Sequence, residues 1–222
     1  MIKNKYELRL LLKSKLKQEH WNFNQYGYPI FPREVLLSEI PSVMEPLQNI
    51  RTCKHPSETL LCSFTKDKFI NPRLERIFDE VSLYKKFMGL GGFDLSPRLS
   101  DDLKIQKTNI LLSQLATAFI ASKGVKIIPN FRIGNLSTLF TLESYPKNIP
   151  FVVGTLGCSK RYGQIHEEIF VAKCLKQRPS FLIIYGSLSK HYAKLLNDLG
   201  MSYVVLDDFR KISYRNSMKM AG

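Results

Sequence analysis

The chain has 222 residues, is 44% hydrophobic, and sets 33 Lys plus Arg against 19 Asp plus Glu, a net charge of +14. That length suffices for one large core, and no long Gly/Ser or Pro tract divides it into two. No stretch approaches the roughly 20 apolar residues of a membrane span, no signal-peptide core follows the basic start, and Cys53, Cys62, Cys158 and Cys174 form no Cys-x-x-Cys pair. These features exclude membrane-spanning, disulfide-scaffold and structural-zinc classes, and predict a soluble cytoplasmic protein with reduced thiols.

The charge is unevenly spread. Residues 1 to 20 hold Lys3, Lys5, Arg9, Lys13, Lys15 and Lys17 against Glu7 and Glu19, and residues 209 to 222 hold Arg210, Lys211, Arg215 and Lys219 with no acid. Two basic arms of this kind favour polyanionic partners, with salt-dependent binding as phosphates displace counterions. A helix is predicted over Lys5 to Gln18, its Leu8, Leu11, Leu12 and Leu16 in one apolar sector that docks on the body. It lacks the bulky aromatic face of an interfacial anchor. Trp21, Phe23, Tyr26, Tyr28 and Phe31 then alternate with Asn, Gln, Gly and Pro. Such rings stack on unpaired bases or, more commonly, pin an extended segment into a groove. Pro41, Pro46 and Pro56 break any long helix between Arg33 and Ser57, so a connection with short helical turns is predicted there.

From Leu60 to Leu206 one phrase repeats: a short apolar β-forming run, a polar or glycine-rich cluster, then an amphipathic stretch. The runs are Leu60 to Phe64, Phe87 to Phe93, Val125 to Ile128, Phe151 to Val153, Phe181 to Tyr185 and Tyr203 to Leu206. The pattern predicts an α/β fold with a mainly parallel sheet of about six strands and flanking helices, either an open three-layer sheet or a partial TIM-like barrel. The expected organisation is a basic helix and aromatic, proline-containing extension over 1–58, an α/β core over 59–208 and a basic tail over 209–222. Helices are expected after Asn71-Pro72, from about Asp102 to Lys123, and from about Gly163 to Lys176, with a helix or turn near Asn135 to Tyr145.

Ligands of parallel sheets bind outside the C-terminal strand ends. The candidates there begin with Phe93-Asp-Leu-Ser-Pro-Arg98, where Asp94, Ser96 and Arg98 either grip an anion or form a turn in which Arg98 pairs with Asp101 or Asp102. Asn130 and Arg132 leave the next run. The Gly154-Thr-Leu-Gly-Cys-Ser-Lys-Arg161 loop offers Thr155 and Gly157 for close backbone approach to an anion at a helix start, although it is neither a Walker nor a Gly-x-Gly-x-x-Gly motif. Lys160 and Arg161 flank Cys158, which is a thiol of lowered pKa or a small buried residue. Ser187 follows the fifth run. Asp207-Asp208 either holds Mg²⁺ with substrate phosphates or tethers the Arg210-Lys211 tail.

The segments Leu60 to Phe69, Phe93 to Arg98 with Gln106 and Asn109, Gly124 to Arg132, Phe151 to Gly157 and Ile183 to Gly186 together resemble, in the same order, an uncharacterised family of phages, plasmids and Firmicutes chromosomes known as domain of unknown function 4417. The likeness spans about residues 26 to 190. It implies a mobile-element setting, in the host cytoplasm if phage-encoded, and no established activity. This chain has Arg132 where the family often carries Trp, and Thr141 to Pro146 where the family has a longer acidic and aromatic stretch.

Two functions follow. One is a phage or mobile-element protein that binds nucleic acid, in replication or in countering a host system, through Lys13, Lys15, Lys17, Lys160, Arg161, Arg210, Lys211 and Arg215. The other is an enzyme acting on a phosphorylated or nucleotide-like ligand at the strand ends, with Asp94, Arg98 and Cys158 as catalytic candidates.

Overall fold

Asn4 starts the first helix by accepting the backbone N–H groups of Tyr6 and Glu7, each at 2.9 Å, so its side chain satisfies donors that the helix itself cannot. A computed structural model describes residues 4–154, 163–209 and 211–212. Helix α1 (Lys5–Gln18) has the predicted bounds. Leu8, Leu12 and Leu16, at four-residue spacing, are buried against α4 (Leu103–Ser122). Leu11, placed in the same apolar sector by the sequence, is instead exposed. The following rings are packed, not free: Phe31 stacks on Tyr145 at 4.7 Å, Trp21 meets Phe31 edge-on, and Tyr26 and Tyr28 both meet Phe140.

The strands form two parallel sheets of three. One has the order β1 (Val43–Pro46), β2 (Thr59–Cys62), β3 (Gly89–Leu90); the other has β4 (Pro150–Gly154), β5 (Phe181–Tyr185), β6 (Tyr203–Leu206). Helices α2 (Asp67–Glu75), α3 (Val81–Tyr84), α5 (Gly163–Gln177) and α6 (Lys190–Asp198) and 3-10 helices over Arg33–Val35, Leu47–Asn49, Pro56–Glu58 and Leu136–Ser144 complete the order. No helix among the described residues is long and apolar enough to cross a membrane.

The expected sheet of about six strands is instead two sheets of three, α2 begins at Asp67 and encloses the Asn71-Pro72 pair expected at a helix start, and three strand expectations also change. Val43–Pro46 is a strand where prolines indicated a connection. Pro46 ends β1 at the sheet edge, where a missing N–H costs little. The run Phe87 to Phe93 shrinks to Gly89–Leu90, because Gly91 and the left-handed Gly92 (φ +72°) turn the chain away. The run Val125 to Ile128 forms no ladder, only isolated parallel bridges: Ile127 to Leu36 and Leu90, then Asn130 to Val152. Pro129 lacks an N–H but accepts one from Val152, and the segment passes from partners beside the first sheet to partners in the second.

Both sheets turn one face to a common apolar cluster. Met44, Leu60 and Cys62 come from the first, Val152, Ile183 and Tyr185 from the second, and Ile128 from the segment between. Alternate residues Leu61, Leu90, Phe151, Leu182 and Ile184 join the larger cluster formed with α1, α2 and α4, as the two-residue period of a strand buried on both faces requires. Burial in the inner cluster pushes the Cys62 thiol up to about 12, a packing residue and not a nucleophile.

Candidate functional site

Helix α4 determines the shape of the rim. It is buried almost all round, and Gln106, Asn109, Ser113 and Thr117 are buried polar residues along it. They serve the irregular chain that leaves β3. Thr117 Oγ1 accepts the Phe93 N–H at 2.9 Å, Ser113 Oγ accepts that of Leu95 at 3.0 Å, Asn109 donates to the Ser96 carbonyl at 2.9 Å, and Gln106 donates to that of Asp101 at 2.8 Å. The Gln106 oxygen also accepts the Asn135 N–H at 2.8 Å. A non-repetitive loop must satisfy its buried backbone groups somewhere, and here one helix does so for two loops. Asp67, in the first turn of α2, ties in the loop after β2 by accepting from both the backbone N–H and the hydroxyl of Ser96, at 3.2 and 3.0 Å.

A cavity of about 860 Å³ opens between these loops. The predicted Ser96, Arg98, Asn130, Arg132 and Ser187 all line it, as do Phe64, Gly154 and Asp208 from the ends of other strands. Asp94 lies just behind, in a smaller recess shared with Asn130 and Arg132, its Oδ1 3.7 Å from Arg132 Nε. Burial raises the Asp94 carboxyl above its ordinary value, an effect that Arg132 and then Asn130 oppose without cancelling. Arg98 has no ion pair with Asp101 or Asp102 among the described residues and is exposed at the cavity edge. Ser96 lends its hydroxyl to Asp67, so its part is to hold the loop.

Two ionisable residues of α5 also line the cavity. Lys173 is buried on α5, its Nζ donating to the Phe131 carbonyl at 2.6 Å and standing 4.6 and 5.4 Å from the ring centres of Phe131 and Phe170. His166 lies on the same helix face. Burial, and then the charges of Arg132 and Lys173, lower its pKa, so its neutral form prevails at pH 7. The signal was available: His166 and Lys173 follow the helical period of Ile169, Phe170 and Cys174, which puts a histidine and a lysine on a largely apolar stripe.

Arg98, Arg132 and Lys173 thus reach one cavity from three elements, with Asp208 the acid among its described lining residues. Helix α6 begins at the same place, Ser189 capping it by accepting the Tyr192 N–H at 3.2 Å. The arrangement is electropositive, largely apolar elsewhere and large enough for a small organic anion.

The acids Asp207 and Asp208 serve the tail: Lys211 Nζ is 3.4 Å from Asp207, and Asp208 accepts the Lys211 N–H at 3.0 Å. No group of three His, Cys, Asp or Glu able to hold a metal occurs among the described residues. On α1, Lys15 and Lys17 are exposed, whereas Lys13 is half-buried with its ammonium 5.4 Å from the Phe23 ring centre. Thr155, Gly157, Cys158, Lys160, Arg161, Arg210 and Arg215 lie outside the described residues. No family model matches the chain, and no curated protein or solved structure shows detectable similarity to it.

Proposed function

We propose that the chain captures a phosphorylated or otherwise anionic small molecule in the cavity at the C-terminal strand ends, as an enzyme acting on that ligand. The convergence of Arg98, Arg132 and Lys173 on one 860 Å³ space carries this reading. Guanidinium groups suit the forked geometry of phosphate or carboxylate, and the buried ammonium adds charge where water is scarce. Neutral His166 is the nearby candidate for proton transfer, and Asp94 positions Arg132. The successive strand order within each sheet and their common inner cluster support a partial barrel, whose functional loops belong at this rim.

Inorganic phosphate and phosphate monoesters at millimolar concentration are expected to raise Tm in low salt. Arg98→Ala with Arg132→Ala should weaken that binding by roughly 100-fold or more, since each lost charge-assisted contact is worth about 1.5–3 kcal/mol. A Tm indifferent to every phosphate tried would refute the reading.

A second reading, nucleic-acid binding in a mobile-element setting, draws on the exposed Lys5, Lys15 and Lys17 of a docked, ordered helix and on the net charge of +14. For duplex DNA, Lys15→Ala with Lys17→Ala should reduce the slope of log affinity against log salt by about 0.9 per lysine. Retention that ignores salt would dismiss it.

A further inference from the structure

The cavity also indicates what its ligand carries besides the anion. We infer, resting on the anion-binding reading above, that the ligand is a phosphate or carboxylate borne on an apolar body, preferably an aromatic ring, and not a sugar phosphate. Beside the cationic groups, the described lining includes Phe64, Val153, Ile169, Phe170, Ile184 and Leu196. Most are held in place by core packing, and Phe64 stacks on Tyr185 with ring centres 5.9 Å apart. Phe170 stands edge-on to both Phe131 and Tyr192. Aromatic walls fixed in this way favour another ring.

Among the described lining residues, three side chains suited to reading sugar hydroxyls already spend part of their hydrogen-bonding capacity within the protein. Ser96 Oγ donates to Asp67 at 3.0 Å, Ser189 Oγ accepts from Tyr192 at 3.2 Å, and Asp208 accepts from Lys211 at 3.0 Å. Asn130, buried and already bearing on the Asp94 carboxyl, leaves little for a ligand oxygen. A pentose or hexose would bring several hydroxyls out of water with few groups to receive them, each shortfall costing about 1–3 kcal/mol. A ring makes no such demand and gains from leaving water.

Calorimetry on the full chain with inorganic phosphate, ribose 5-phosphate and phenyl phosphate tests this directly. Phenyl phosphate should bind roughly tenfold tighter than either of the others, the factor that burying one face of a ring brings. Leu188→Ser, at a partly exposed lining position, should cut the affinity for phenyl phosphate several-fold and leave that for inorganic phosphate unchanged. Equal or tighter binding of ribose 5-phosphate would overturn the apolar-body inference while leaving anion binding intact. Failure of all three to bind would remove both.

Discussion

The Asp94 carboxylate stands 3.7 Å from Arg132 Nε, yet its pKa is raised, because burial outweighs the attraction of a guanidinium that is itself 43% exposed. The pair joins the loop after β3 to the segment after the Asn130 bridge, and Arg132 is its member in the cavity. A carboxyl with a raised folded-state pKa binds its proton more tightly when folded than when unfolded. Its contribution to stability is therefore complete below the unfolded value and is lost as pH rises from there through the raised folded value. Asp94→Asn abolishes that titration and removes only a partly solvated ion pair. The variant should gain on the wild type as pH rises from about 4 to 7. Thermal denaturation across that range checks it; wild type gaining on the variant would mean that the Arg132 pair dominates.

Gly154 closes β4 where the floor of the cavity meets Phe64. A Cβ there would lie 2.5 Å from Phe64 Cγ and 2.9 Å from Cε1, so the ring must move and its stacking with Tyr185 must break. Gly154→Ala is expected to cost about 1–3 kcal/mol, the range for overpacking a filled core. Denaturant unfolding measures it, and Phe64→Leu in the same background should restore part of the loss. An unchanged midpoint would show that Phe64 is not confined there.

Glu80 is buried beneath Arg51, Arg73 and Arg76, which donate to its carboxylate at 2.9 to 3.1 Å. Burial alone would raise its pKa, but the hydrogen bonds from Arg51 and Arg73, reinforced by the charge of Arg76, bring it below the ordinary value. Its stabilising contribution is present above the unfolded pKa and fades as pH falls through the depressed folded one. Glu80→Gln should cost about 2–3 kcal/mol at pH 7, less than the about 3–5 of a wholly buried pair because two of the arginines remain in water. The difference from wild type should narrow below pH 4, which an acid titration followed by circular dichroism will show.

The Tyr185 hydroxyl accepts the Phe209 N–H at 2.9 Å and anchors the turn that carries Asp208 into the cavity. Tyr185→Phe leaves that N–H without its acceptor. It should cost about 1 kcal/mol and speed amide exchange at Phe209 and Lys211 more than in β5 itself. Uniform protection across the turn would count against the anchor.

Much of the fold is legible in the chain because the relevant signals are local. The leucine spacing of Leu8, Leu12 and Leu16 marks α1, and the runs at Phe181 and Tyr203 appear as strands at their predicted bounds. The Val125 to Ile128 run was misjudged because apolar character reports burial, whereas a ladder needs successive partners, and Pro129 sits where the chain changes neighbours. Val43–Pro46 was missed for the converse reason: proline suits a strand that ends at an edge, and edge status is not written in four residues.

The candidate site divides in the same way. Ser96, Arg98, Asn130, Arg132 and Ser187 were found from the sequence because a parallel sheet sends its strand-end loops to one side, a rule that periodicity alone invokes. Lys173 was not, since a helix face acquires meaning only from what it packs against. Whether Ser96 grips a ligand or holds a loop turned on Asp67, 29 residues away, and whether Asp94 is raised or lowered turned on the balance of burial against Arg132. The sequence by itself determined element types, the edge where polar clusters gather and the excess of positive charge, because these follow from spacing and composition. Tertiary structure decided which charges are buried, paired or turned to the cavity, because desolvation and Coulomb terms depend on distances between residues far apart in the chain.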